Sequence, residues 1–135
     1  MVRVTVPKCI LIVDNNQYIR KIVRTFLESE AGCKVCGEAV DGYDAIEKAE
    51  QLKPDLIILD ISLPHMNGIR VASILKAMHP RTPIVLFTLY HDAFHNLGTP
   101  AGIDAIVPKD GHISLLVNSV EGLLQAAQYP ASSPS

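Results

Sequence analysis

The sequence predicts an α/β fold: a doubly wound, five-stranded parallel sheet in the order 2-1-3-4-5 with helices on both faces. Three observations predict it. Apolar runs such as Cys9-Ile-Leu-Ile-Val13, Leu56-Ile-Ile-Leu59 and Pro83-Ile-Val-Leu-Phe87 lack the alternation of a half-solvated strand, so they read as strands covered on both sides. The stretches between them carry apolar residues at helical spacing. Strand and helix alternate without an internal repeat, and right-handed crossovers that cover the sheet make it parallel.

The first strand ends in Asp14-Asn15-Asn16, residues that favour turns and helix caps. From Gln17, Ile19, Ile22, Val23, Phe26 and Leu27 follow an i, i+3, i+4, i+7, i+8 series with Arg20, Lys21, Arg24 and Glu28 outside it, an amphipathic helix closed by Gly32. Lys34 to Val40 fits a short strand. Asp41-Gly42 turns into a second helix whose inner face is Ala45, Ile46, Ala49 and Leu52, stopped by Pro54. The third strand delivers Asp60, and a loop with Pro64, Asn67 and Gly68 leads to a helical stripe of Val71, Ala72, Leu75 and Met78 ending at His79-Pro80. The fourth strand ends in Thr88.

The fourth helix, between His91 and Ala101, is expected to be short or mobile, because Gly98, Thr99-Pro100 and Gly102 interrupt it. Ala105-Ile-Val107 is a brief strand before Pro108-Lys109, and Leu116, Val120, Leu123, Leu124 and Ala127 mark the last helix. Residues 1–8 are an N-terminal extension, 9–128 one domain and 129–135 a tail with nothing to bury, expected to be disordered. The chain ends soon after its last helix, so no sizeable output domain is expected within it.

A length of 135 residues suits one domain, and 48% hydrophobic residues can build its core. The net charge of −2 and the lack of a basic stretch point away from direct nucleic-acid binding. No signal peptide or membrane-spanning run is evident, which makes a cytoplasmic protein the expectation. Cys9, Cys33 and Cys36 are odd in number, and in a strand Cys33 and Cys36 point to opposite faces. They are expected to be strand residues with buried sulfurs. His65, His79 and His112 fall in turns and are expected to be exposed.

Four strands end in residues that can do chemistry: Asp14, Asp60, Thr88 and Lys109. In a parallel sheet these ends share one edge, where open α/β sheets bind their ligands. Two neighbouring carboxylates call for a cation, and hard oxygen donors suit Mg²⁺. A carboxylate nucleophile, a hard cation, a hydroxyl and an ammonium together suit phosphoryl transfer.

On Ile-Val-Asp14-Asn15, Leu-Asp60-Ile-Ser-Leu-Pro-His-Met-Asn-Gly68, Thr88 and Lys109, the chain resembles the receiver domains of two-component response regulators, from Cys9 to about Gln128. The resemblance implies that Asp60 accepts a phosphoryl group from a phosphohistidine on a sensor histidine kinase or phosphotransfer protein. Thr88 and Lys109 would contact the phosphoryl oxygens. Asp14, Asn15, Asp60 and the Ser62 carbonyl would hold Mg²⁺. The phosphoprotein would then switch a partner-binding surface around the fourth helix and fifth strand, toward a downstream protein, an output domain or a second copy, and the domain would not be an enzyme beyond its own phosphoryl transfer and hydrolysis.

Some positions depart from the family pattern. Asn15 stands where a second acid is usual, so Mg²⁺ binding is expected to be weaker. Ile106 stands in the place of a switching aromatic, Leu89 follows Thr88 where a small residue is usual, and Pro108 precedes the lysine rather than following it. These departures keep a phosphorylation-independent binding module as the alternative. A haloacid-dehalogenase phosphatase would want an acid at Ser62, a flavodoxin would want a phosphate-cradling loop instead of Asp-Asn-Asn-Gln, and His91-Asp92-Ala-Phe-His95 lacks a third zinc ligand.

Overall fold

The computed structural model describes residues 6–128. The expected N-terminal extension is therefore described only from Val6, and the expected disordered tail lies outside the described residues. In chain order the elements are β1 (Cys9–Val13), α1 (Gln17–Glu30), β2 (Lys34–Ala39), α2 (Gly42–Leu52), β3 (Leu56–Leu59), α3 (Gly68–Met78), β4 (Ile84–Thr88), a 3-10 turn (His91–Phe94), β5 (Ala105–Pro108) and α4 (Ser114–Gln128). The strands form one sheet in the order β2-β1-β3-β4-β5, and every pairing is parallel, as the alternation predicts.

Period-two alternation along the strands divides the interior into two apolar layers. Ile10 and Ile12 face Val23 and Leu27 of α1 and Leu116, Val120 and Leu124 of α4. Leu11 and Val13 face Ala45 and Ala49 of α2 and Val71, Ala72 and Leu75 of α3. All four residues of β3 are buried, so this central strand has no polar face and its chemistry begins only where it ends.

Capping explains where the helices begin. The side chains of Asn16, Asp41 and Asn67 accept hydrogen bonds from the first free backbone N–H groups of α1, α2 and α3. Gly32 takes φ +62° just past α1, and Lys53 takes φ 47° between α2 and Pro54, so both helices stop by a left-handed step.

Several expectations are corrected. Cys9 and Cys36 form a disulfide across β1 and β2, leaving Cys33 free and buried. A register shift between Ile10 and Leu11 leaves Cys36 without a Cα partner on β1, and this bulge turns its sulfur toward Cys9. The fourth helix, expected to be short, needs no correction: it is the four-residue 3-10 turn, after which Gly98 and Gly102, at φ +78° and +88°, direct the chain. His79 is not exposed: it caps α3, and its ring lies 3.5 Å from Glu50. Ile22, Leu52 and Met78 lie at the margins of their helical stripes and are exposed.

Candidate functional site

The site lies where β1, β3, β4 and β5 end. Asp14 follows β1 directly, Asp60 follows β3, Thr88 is the last residue of β4, and Lys109 follows β5. The pairings Val13 with Leu59 and Thr88 with Pro108 bring these ends to one edge of the sheet. Backbone hydrogen bonds continue past the strands: Asp60 N donates to the Val13 carbonyl at 3.0 Å, and Lys109 N to the Thr88 carbonyl at 2.9 Å.

Lys109 is the centre of the arrangement. Its Nζ lies 2.6 Å from Asp14 Oδ2 and 3.2 Å from Asp60 Oδ2. The three side chains are 10%, 4% and 8% exposed, so the ammonium neutralises two carboxylates that would otherwise repel in a poorly solvated crevice. The same ammonium stands 5.9 Å from the centroid of the Phe87 ring, within cation–π range. Thr88 is fully buried, and its hydroxyl oxygen accepts a hydrogen bond from Tyr90 N at 3.0 Å.

Asn15 and Ser62 are exposed beside this edge. Leu89 is largely exposed, whereas Ile106 is half-buried and packs into the same apolar layer as Phe94. The loop between β3 and α3 is tight. Gly68 N donates to the Ile61 carbonyl at 2.8 Å, and a Cβ on Gly68 would collide with the Asp60 carbonyl oxygen. This absence of a side chain lets α3 start directly against the strand end that carries Asp60.

The donor set suits a hard divalent ion that keeps several waters: two carboxylates, the Asn15 amide oxygen and backbone carbonyl oxygen. Among the described residues no three His, Cys, Asp or Glu side chains cluster as metal ligands, so any cation here would rest on fewer acids than a fully acidic cage.

Two contributors were not legible as site residues. Arg20, placed by periodicity on the polar side of α1, donates from Nη1 to the Asp14 carbonyl at 2.6 Å. Glu38 receives Arg20 Nε at 2.9 Å and Arg24 Nη2 at 2.6 Å. Burial pushes the Glu38 carboxyl upward, but the hydrogen bonds from Arg24 and Arg20 outweigh it and hold the group below its ordinary range. Only a strand register that sets Glu38 beside α1 reveals this cluster.

A family model for the response regulator receiver domain matches residues 10–121. The chain belongs to the response regulator receiver domain family. Its fold is similar to that of a LuxR-family two-component response regulator from Aurantimonas, with 26% identity and a TM-score of 0.82, covering 90% of this chain and 87% of that one. It is also similar to the response regulator TrrA from Thermotoga maritima, solved in complex with Mg²⁺–BeF, at 29% identity and a TM-score of 0.78 over 86% of this chain and 98% of that one. A protein-glutamate methylesterase/protein-glutamine glutaminase from Nocardioides is 32% identical over 124 residues, which is 87% of this chain but 33% of that protein. The receiver thus spans about a third of that curated relative.

Proposed function

We propose that this receiver is a phosphoacceptor in a two-component system, with Asp60 as the residue phosphorylated by a sensor histidine kinase or phosphotransfer protein. An Asp60 carboxylate oxygen attacks the phosphorus of a phosphohistidine, a P–O bond forms as the P–N bond breaks, and the electron pair leaves with the imidazole. The observation that carries this reading is the Lys109 ammonium within 3.2 Å of Asp60 and 2.6 Å of Asp14. A cation already bridging both carboxylates is poised to follow charge onto a phosphoryl oxygen. The Thr88 hydroxyl, at the adjoining strand end, accepts from Tyr90 N and keeps its own proton to donate to a second oxygen.

Asp14, Asn15, Asp60 and the Ser62 carbonyl are the groups that would hold Mg²⁺, which when bound supplies positive charge against the phosphoryl oxygens. The TrrA complex with Mg²⁺–BeF supports this reading for a relative of the same fold. Among the described residues no helix is long and apolar enough to cross a membrane. We place the phosphoacceptor in the cytoplasm with its kinase, where the reducing milieu would keep Cys9 and Cys36 as thiols. The receiver unit is taken as 9–128, acting by docking to a downstream protein, an output domain or a second copy, without direct nucleic-acid contact and without enzymatic activity beyond its own phosphoryl transfer and hydrolysis.

The second reading, a phosphorylation-independent binding module, is favoured by Asn15 in the acidic corner and by the reduction of the fourth helix to one turn. One experiment separates them. The full chain is incubated with acetyl phosphate and Mg²⁺ and examined by intact-mass and peptide mass spectrometry. A base-labile gain of one phosphate on Asp60, lost in a folded Asp60→Asn variant, is the expected result; no gain in the wild type overturns the phosphoacceptor reading.

A further inference from the structure

Asp14 has each of its polar atoms engaged. Its N donates to the Ala39 carbonyl at 3.0 Å, its Oδ1 accepts from Asn16 N at 2.9 Å, and its Oδ2 meets Lys109 Nζ at 2.6 Å. The remaining atom, the carbonyl oxygen, is held by Arg20 Nη1 at 2.6 Å, the short charge-assisted kind of bond. That carbonyl shares a peptide plane with the N–H of Asn15. Fixing it fixes the main chain that carries the Asp14 side chain and the point from which Asn15 leaves the chain, while Asn16 N and Lys109 Nζ hold the carboxylate itself.

Arg20 is itself constrained. Its side chain is 15% exposed, and its Nε donates to Glu38 Oε1 at 2.9 Å while Arg24 occupies the other oxygen of Glu38 at 2.6 Å. A guanidinium donates in a rigid fork, so a carboxylate on one arm aims the other arm. Lys48 Nζ also donates to the Glu38 carbonyl, tying that residue's main chain to α2. The chain of support therefore runs from β2 through Glu38 and Arg20 to the main chain of the acidic corner.

We infer that Arg20 is a positioning residue for cation binding: oriented by Glu38, it holds the Asp14 carbonyl and so presents Asp14 and Asn15 to a divalent cation at the sheet edge. The inference rests on the Mg²⁺ reading of that edge. It makes Arg20 an outer support of the kind whose loss costs metal affinity about tenfold or more. Its positive charge acts in the opposite direction by repelling the cation, so the sign of the effect separates positioning from simple charge.

The test is calorimetric titration of the full chain with Mg²⁺, beside the Mg²⁺ dependence of phosphorylation by acetyl phosphate. In Arg20→Gln the Mg²⁺ Kd rises about tenfold, while the phosphorylation rate at saturating Mg²⁺ stays within about twofold of the wild type. A residue that merely stabilised the fold would not divide the two in this way. Arg20→Lys keeps the charge but not the fork and gives a smaller rise in Kd. An unchanged or tighter Kd in folded Arg20→Gln overturns the inference, and should that variant not fold, an unchanged Kd in Arg20→Lys overturns it. Hydrogen exchange at the Asn16 amide, bonded to Asp14 Oδ1, gives a readout without metal. Faster exchange in Arg20→Gln supports the positioning role and unchanged exchange overturns it, even if the wild type binds no Mg²⁺ and takes no phosphate, a result that would instead defeat the phosphoacceptor reading.

Discussion

Replacing Lys109 by methionine tests the electrostatics of the site most directly. The side chain keeps much of its length and loses its charge, leaving Asp14 and Asp60, 4% and 8% exposed, facing each other without the ammonium that lies 2.6 and 3.2 Å from them. Removing one partner of a buried ion pair costs about 3–5 kcal/mol, because the remaining charge loses its partner but not its desolvation. With a urea m-value of about 1.5 kcal/mol/M, the unfolding midpoint falls by about 2–3 M in metal-free buffer. Two further measurements isolate the cause. Mg²⁺ raises the midpoint of Lys109→Met more than that of the wild type, because the cation no longer competes with the lysine and ligand binding to the folded state adds stability. Combining Lys109→Met with Asp14→Asn recovers much of the loss, since one of the two repelling charges is gone. A fall of less than about 0.5 M in the single variant, equivalent to under 1 kcal/mol at that slope, would refute the bridging role of the lysine.

Other outcomes follow from the same geometry. Asn15→Asp restores an acid to the corner and lowers the Mg²⁺ Kd in a calorimetric titration, since added ligand charge strengthens a hard-cation site. Gly68→Ala drives a methyl group into the Asp60 carbonyl and lowers stability by more than about 2 kcal/mol in urea unfolding, with a shift of the Asp60 resonances in NMR spectra. Under oxidising conditions Cys36→Ser removes the cross-link to Cys9, 27 residues away, and lowers stability by about 3–4 kcal/mol by the chain-entropy estimate, whereas in a reducing buffer it has little effect. The Glu38 carboxyl titrates below its ordinary range in the folded state, so its contribution is present above the unfolded-state pKa and is lost as pH falls through the folded-state value. In Glu38→Gln the stability profile therefore flattens on its acidic limb and changes little in shape above neutral pH.

The centre of the sheet was legible because β3 and β4 are buried on both sides. Leu56-Ile-Ile-Leu59 and Ile84-Val-Leu-Phe87 carry no polar residue, so periodicity had one reading and the ends carried the remaining chemistry. What lay hidden depended on register. The Cys9–Cys36 pairing follows from a bulge between Ile10 and Leu11 that no local pattern announces. The stub at His91–Phe94 was partly legible, because Gly98, Pro100 and Gly102 deny the chain a helix there, although the extent of the loss depends on how Phe94 and Ile106 pack.

Arg20 illustrates the deeper limit. Along α1 it occupies a polar position equivalent in pattern to Lys21 and Arg24, yet it alone reaches the Asp14 carbonyl. Helical spacing assigns a side chain to a face and says nothing of which main-chain atom waits there. A strand end is different, because the topology compels every carboxyl terminus of a parallel sheet to meet at one edge whatever the side chains are. Residues whose place is dictated by the backbone, such as Asp14, Asp60, Thr88 and Lys109, can therefore be read from sequence. Residues that support them from a helix face, as Arg20 and Glu38 do, become visible only once α1 is set against β2.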